Sequence, residues 1–324
     1  MQAGAIVTGG ASGIGLASAE ALVKLHNIAV VIADRDSEHG ELEAKRLSGI
    51  AGTADQSNKA QFIWVDVSDE DAIKSMLQQA SDWFISQGVQ FRYVVNSAGC
   101  DFMHPFGDPR VDAVPFFDRA MAVNLRSVYL VCHHSVPLLE AAAVAAKAAS
   151  GLKHGKAHAQ HTASILNVSS IQATRCYHDY TVYAATKGGI NSMTINLSCT
   201  LAKKGIRVNS LCPGAVKTHI MENSRIFEPE YSMWTEDDVD TLAQEEKTSE
   251  LMNCQEPAVI GEAAAGLLLM RGVTGQCLVV DGGCSSLGYS YPDRHGCTKN
   301  EGSESAKLST CTSSGSCAST TDLP

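Results

Sequence analysis

Short apolar runs rich in Val and Ile recur along the chain, separated by longer stretches in which apolar residues return every three or four positions. The runs are Ala3 to Thr8, Ile28 to Ala33, Phe62 to Val65, Tyr93 to Asn96, Ser164 to Val168, Arg207 to Leu211 and Cys277 to Val280. Runs of this length predict strands, and the longer periodic stretches between them predict helices. Strand and helix in alternation imply a parallel sheet, because each parallel pairing needs a long crossover. The runs are continuous rather than alternating, as expected for strands covered by helices on both faces. The expected fold is therefore α/β, a doubly wound seven-stranded parallel sheet of the Rossmann type, in a single domain over residues 1–284.

Two regions break the rhythm. Residues 145–162 are rich in Ala, Lys and His and read as a solvated helix extension and loop. His154, His158 and His161 share a helical face there, but with no Cys or carboxylate among them no metal site is assigned. From Ser285 the residues turn to Ser, Thr, Gly and Lys, a composition that cannot repay the entropy of ordering, so 285–324 reads as a disordered tail.

Composition narrows the function. With 324 residues, 44% of them apolar and 19% charged, the chain can bury a large core. A net charge of −10 argues against nucleic acid or an anionic membrane as partner, since both demand clustered Lys and Arg. Small molecules and further copies of the chain remain. No Lys or Arg precedes Lys24, so the apolar start lacks the basic flank of a secretory signal, and no uninterrupted apolar run approaches membrane-spanning length. The eleven cysteines are odd in number and lack a C-x-x-C pair, which reads as reduced thiols in a cytoplasmic protein. The sequons at Asn167 and Asn196 fall inside a predicted strand and a predicted helix, which disfavours glycosylation.

The first run leads into Thr8-Gly9-Gly10-Ala11-Ser12-Gly13-Ile14-Gly15 and then a helical pattern. Glycines let the backbone approach a pyrophosphate, and the free N–H groups of the next helix attract its charge. The second run ends at Asp34, 19 residues past Gly15, where a carboxylate can accept from the adenosine ribose hydroxyls and would repel a 2′-phosphate. NAD is thus expected over NADP, although Arg35 next door is suited to a phosphate. Asp66, ending the third run, is placed to meet the adenine or, equally, to cap the helix that follows.

Tyr183 and Lys187 are one helical turn apart, and Ser170 precedes Tyr183 by 13 residues at a predicted strand end. With the Gly9 to Gly15 loop, Asn96-Ser97-Ala98-Gly99, Asn124, Pro213-Gly214, Thr218 and Asp281-Gly282-Gly283, the chain resembles the short-chain dehydrogenase/reductase family from about Ala3 to Gly283. Ser97 departs from the second Asn common at that position. The resemblance implies an oxidoreductase that interconverts a secondary alcohol and a ketone by hydride transfer. In that reading Tyr183 carries the proton, Lys187 stabilises the phenolate and holds the nicotinamide ribose, and Ser170 holds the substrate oxygen. Asn124 would hold a relay water, or else satisfy a bent helix. The implied cofactor contacts are Gly9, Ser12, Gly13, Ile14, Gly15, Asp34, Asp66, Val67, Asn96, Ala98, Gly99, Tyr183, Lys187, Pro213, Gly214, Val216 and Thr218, the last on the carboxamide.

Residues 218–256 carry Met221, Phe227, Tyr231, Met233 and Trp234 and read as a substrate lid with an apolar inner face, or as core or subunit contact. That composition suits a bulky uncharged substrate. Cys176, Tyr177, His178 and Tyr180 would form another wall. The resemblance also implies a homodimer or homotetramer, through apolar stretches at 128–136 and 193–201 that equally suit burial against the sheet. The competing reading is a cofactor-binding redox sensor without turnover, against which the intact Tyr183, Lys187, Ser170 and Asn124 set argues.

Overall fold

The computed structural model describes residues 2–49, 59–149, 163–175, 179–218 and 255–287. In chain order the elements are β1 (Ala3–Thr8), α1 (Gly13–His26), β2 (Ala29–Asp34), α2 (Ser37–Ser48), β3 (Ala60–Trp64), α3 (Glu70–Ser86) and β4 (Gln90–Asn96). Then come α4 (Ala113–Ala120), a π-helical turn (Met121–Arg126), α5 (Ser127–Ala149), β5 (Ala163–Val168), α6 (Thr181–Ala202), β6 (Ile206–Pro213), α7 (Pro257–Leu269) and β7 (Cys277–Val280). All seven strands join one parallel sheet in the order β3-β2-β1-β4-β5-β6-β7, the expected doubly wound topology. β4 starts three residues before its apolar run because Arg92 interrupts the pattern while Phe91 is buried.

Strand side chains alternate between two cores. Ala5 and Val7 join α1, α2 and α7 on one face, whereas Ile6, Val31 and Val94 join α3, α5 and α6 on the other. Because both faces are buried, the alternation is invisible as polarity and the runs read as continuous. Asn96 and Asn167 are buried between these layers: Asn96 Nδ2 donates to Asn167 Oδ1 at 2.9 Å, and Asn167 Nδ2 donates to Thr194 Oγ1 at 2.9 Å. These bonds tie β4, β5 and α6 together beneath the strand ends.

The continuous helix over Ala113–Ala148 has a mean hydropathy of 1.4 over its most apolar window and is, by length and composition, apolar enough to cross a membrane. This corrects the expectation that nothing qualifies: scattered polar residues broke the run without lowering its mean. Val128, Val131, Cys132 and Leu139 of this helix pack into the core of the α3, α5 and α6 face, which accounts for the composition.

The six cysteines among the described residues are free thiols. The histidine-bearing loop lies outside the described residues, as do 219–254 of the expected lid and 288–324 of the expected tail. A 3₁₀ turn at Cys284–Leu287 carries regular backbone past the expected start of that tail.

α1 and α7 meet through glycine. A Cβ on Gly261 would stand 2.5 Å from the Ala17 carbonyl carbon and oxygen, backbone that cannot swing aside. Gly261→Val should therefore destabilise the fold by about 1–3 kcal/mol through overpacking, read as a lower urea midpoint at unchanged slope.

Candidate active site

A cleft of about 430 Å³ opens over the C-terminal ends of the strands, centred where β1 and β4 send their connections to opposite faces. Its floor depends on backbone contact. Gly9 has φ +64°, and a Cβ there would lie 2.7 Å from the Ala98 backbone; a Cβ on Gly15 would lie 2.0 Å from the Gly9 carbonyl oxygen. Thr8 Oγ1 accepts from the N–H groups of Ser97 (3.3 Å) and Ala98 (3.4 Å) and locks the two loops together.

The residues present fit a dinucleotide. α1 begins with no acidic residue in its first turn, and its N-cap Ser12 makes no side-chain capping bond, which leaves first-turn N–H groups for an anion. Asp34 Oδ2 accepts from Ala11 N at 3.0 Å and Oδ1 from Asp36 N at 3.1 Å, so its carboxylate is held at the cleft edge. Asp66 also lines the cleft; Oδ1 accepts from Ser68 N (2.8 Å) and Oγ (2.7 Å), which holds its carboxyl below the usual range, with Arg35 adding to the effect. The cap of α3 is Asp69, which corrects the cap alternative for Asp66. Gly9, Ser12, Gly13, Ile14, Gly15, Val67, Ala98, Gly99, Pro213, Gly214, Val216 and Thr218 line the same cleft.

At its other end the cleft holds Ser170, Tyr183 and Lys187. Ser170 ends the β5 connection as N-cap of a 3₁₀ turn, with its hydroxyl accepting from Gln172 N. Lys187 is 5% exposed; its Nζ donates to Val168 O at 3.0 Å and lies 5.4 Å from the centre of the Tyr183 ring. Burial pushes the Lys187 ammonium down to about 8. Burial first and the Asp101 charge second push the Tyr183 phenol up, against a hydrogen bond with Ser170 that pulls it down. The expected lowering of the phenol by Lys187 is not seen here: low-polarity surroundings disfavour both charged forms, and only Ser170 pulls the phenol down. Ser169 donates to Lys187 O at 3.0 Å, a brace for α6.

Two expected site residues do not face the cleft. Asn96 is turned into the sheet toward Asn167 and Cys132, so it braces strand ends and does not line the cleft. Asn124 sits behind the wall in the π-helical turn, where its Oδ1 accepts from Cys100 N (2.8 Å) and its Nδ2 donates to Cys100 O (2.8 Å). It fixes the Cys100 backbone rather than lining the cavity. A Cβ on Gly99 would lie 3.3 Å from Asn124 Oδ1 and 3.7 Å from Lys187 Nζ, so this glycine keeps the corner between them open.

Cys100 and Asp101, directly after Gly99, line the cleft and had no signal in the reading of motifs beyond that adjacency. Burial pushes the Asp101 carboxyl up to about 6, partly offset by a hydrogen bond from Tyr180 and by the Lys187 charge. Of the other expected wall, Tyr180 is described and Cys176, Tyr177 and His178 lie outside the described residues. The described residues on either side of 219–254 pair with one another: Lys217 N donates to Gln255 O at 3.0 Å and Gln255 N to Ala215 O at 2.9 Å.

Comparison with known proteins settles the family. Residues 3–229 match the short chain dehydrogenase family. This chain belongs to that family. It is accordingly a short-chain oxidoreductase with a nicotinamide nucleotide cleft. It is 28% identical over 293 residues to (+)-borneol dehydrogenase 2 of Salvia officinalis, covering 88% of this chain and 90% of that one. Among solved structures, 3-ketoacyl-(acyl-carrier-protein) reductase from Brucella melitensis complexed with NADH superposes with TM-score 0.66 at 27% identity, over 87% of this chain and 98% of the other. An actinorhodin polyketide ketoreductase variant with NADPH shares the fold, with TM-score 0.69 at 23% identity over 87% and 97%.

The Asp101 carboxyl is raised to about 6 from an ordinary value of 3.8, so its ionised form disfavours the folded state. Its contribution to stability is full below pH 3.8 and is lost as pH rises through 6. Asp101→Asn removes that loss. Relative to wild type, the variant should gain on the order of 2 kcal/mol of stability between about pH 4 and pH 7, measured by urea unfolding at several pH values. A difference that does not change with pH would contradict the assigned shift.

Proposed function

We propose that this protein interconverts a secondary alcohol and a ketone, with Tyr183 as the proton-transferring acid and base and NAD as the preferred cofactor. The observation that carries the reading is the convergence of Ser170, Tyr183 and Lys187 on one cleft whose other end is built for a dinucleotide. Bound there, the nicotinamide ring would supply or accept the hydride. Ser12 and the first turn of α1 would hold the pyrophosphate, Asp34 the adenosine ribose, Lys187 the nicotinamide ribose and Thr218 the carboxamide.

Ser170 orients the substrate oxygen toward the Tyr183 hydroxyl. In reduction the phenol gives its proton to the carbonyl oxygen as the hydride arrives at carbon; in oxidation the phenolate takes the hydroxyl proton. A phenol raised by burial is fully protonated at neutral pH and ready to act as the acid. The base role needs added positive charge, which Lys187 and an oxidised nicotinamide ring would provide. Asn124 keeps the Cys100 backbone in register, and any relay water would use the lone pair its Oδ1 still has.

Tyr183→Phe should bind NADH as tightly as wild type yet lose at least about 10²-fold in kcat on any ketone or alcohol that wild type turns over. Full turnover by the variant, followed by cofactor absorbance, would sink the mechanism. Retained cofactor binding with no hydride exchange in wild type across a broad panel would favour the sensor instead.

The preference for NAD rests on Asp34, whose carboxylate, held at the cleft edge, would repel a 2′-phosphate there, while the charge of Arg35 is already felt by Asp66. Wild type should favour NAD over NADP in kcat/KM. Asp34→Ser should shrink that ratio by about 10- to 100-fold, the effect of one like charge a few ångströms away in partly excluded water. A ratio unchanged in the variant would remove Asp34 as its cause.

A further inference from the structure

Beside Tyr183 the cleft wall carries a carboxylate that the proposed chemistry does not use. Asp101 lines the cleft, and its charge is felt by both Tyr183 and Lys187. The wall around it is fixed from two sides. On one side the preceding residue, Cys100, is clamped at both N–H and C=O by Asn124. On the other, the Tyr180 hydroxyl donates to Asp101 Oδ2 at 3.3 Å, and His104 N donates to Asp179 O at 3.0 Å, tying the 100–104 loop to the segment leading into α6. Tyr180 and Tyr183 then meet edge to face, with ring centres 5.8 Å apart.

Asp101 Oδ1 is buried and within hydrogen-bond distance of no donor; beyond the Tyr180 hydroxyl on Oδ2, only the N–H of the adjacent Phe102 acts on the carboxyl as a donor, and burial outweighs both. An ionised carboxylate cut off from water and so poorly matched costs free energy. No element of the fold recovers it: Asp101 lies in no strand and caps no helix, the next helix starting at Ala113. The same charge works against Tyr183, raising the phenol that has to ionise in one direction of the reaction. Both costs fall if a ligand in the cleft brings a donor to Asp101.

We infer that Asp101 is a specificity-determining residue that accepts a hydrogen bond from the substrate, so the alcohol or ketone processed here carries a second donor, a hydroxyl or an ammonium group. This rests on the cleft being the alcohol and ketone site proposed above. It adds a polar donor to the bulky, uncharged substrate expected from the composition of 218–256, and departs from that expectation where the donor is an ammonium. Asp101 is the residue in direct contact, and Asn124 and Tyr180 act through it as positioning residues.

The test uses the full chain with NADH and a matched set of ketones: 4-methylcyclohexanone, 4-hydroxycyclohexanone and protonated 4-aminocyclohexanone, with the 2- and 3-substituted isomers. Two readouts are taken, kcat/KM and equilibrium binding to the protein–NADH complex by cofactor fluorescence, on wild type, Asp101→Asn and Asp101→Ala. NADH affinity within twofold of wild type keeps misfolding out of the comparison.

Wild type is expected to prefer at least one donor-bearing isomer over its methyl counterpart by tenfold or more. Asp101→Ala should abolish the preference. Asp101→Asn separates the two donors, since a carboxamide oxygen still accepts from a hydroxyl but no longer pairs an ammonium charge. Donor preference that survives Asp101→Ala overturns the inference, as does the absence of any donor preference in wild-type binding. Turnover without donor preference leaves the reaction standing and removes this role for Asp101; donor-selective binding without turnover does the reverse.

Discussion

Where β1 and β4 part toward opposite faces of the sheet, the backbone of Gly9 rests on that of Ala98 with no room for a side chain between them. The rest of the cleft depends on that contact. It brings the N-terminus of α1 beside the end of β4, and through Thr8 it fixes Ser97 and Ala98 and hence the path to Gly99 and Cys100. From there Asn124 reaches over to hold Cys100, which places the far wall. The α1 end and the Tyr183 end of the cleft are therefore set by one chain of contacts, and a shift at Gly9 would move both.

Those two ends impose opposite demands. The dinucleotide end offers N–H groups and a fixed carboxylate at a solvent-facing rim, where charge is cheap. The Tyr183 end is buried, where every charge is expensive: the phenol is driven up and the ammonium down to about 8. Lys187 keeps a donor bond to Val168 O in either protonation state, so its position survives the change. A buried acid and base pair whose charged forms are both disfavoured responds strongly to any charge that enters the cleft.

Much of this was legible in the residue pattern. Seven strands, their order along the chain and the Gly9 to Gly15 loop follow from apolar runs and glycine spacing, because strands buried on both faces leave long apolar signatures. Ser170, Tyr183 and Lys187 were legible because their spacing and strand-end placement repeat a family pattern. The orientations of Asn96 and Asn124 were not legible in the same way. Motif membership says that a residue matters, but not whether its amide faces the cavity or the sheet behind it; that depends on one side-chain rotation and, for Asn124, on a π-helical turn with no signature in composition. Asp101 was passed over because nothing local marks it. Its significance comes from Tyr180, 79 residues away in sequence, which meets only one of its two oxygens.

The field at Tyr183 then bears on which half of the reaction the bare protein favours. Burial and the Asp101 charge raise the phenol, and a reduced nicotinamide ring would bring no compensating positive charge, so in the proposed mechanism Tyr183 would hold its proton for donation. Lys187 would hold an oxidised nicotinamide nucleotide near Tyr183, and the added positive charge would pull the phenol the other way. On the proposed mechanism Tyr183 would in this way serve as acid in one direction and base in the other, the change of role following the redox state of the cofactor with no rearrangement of the protein.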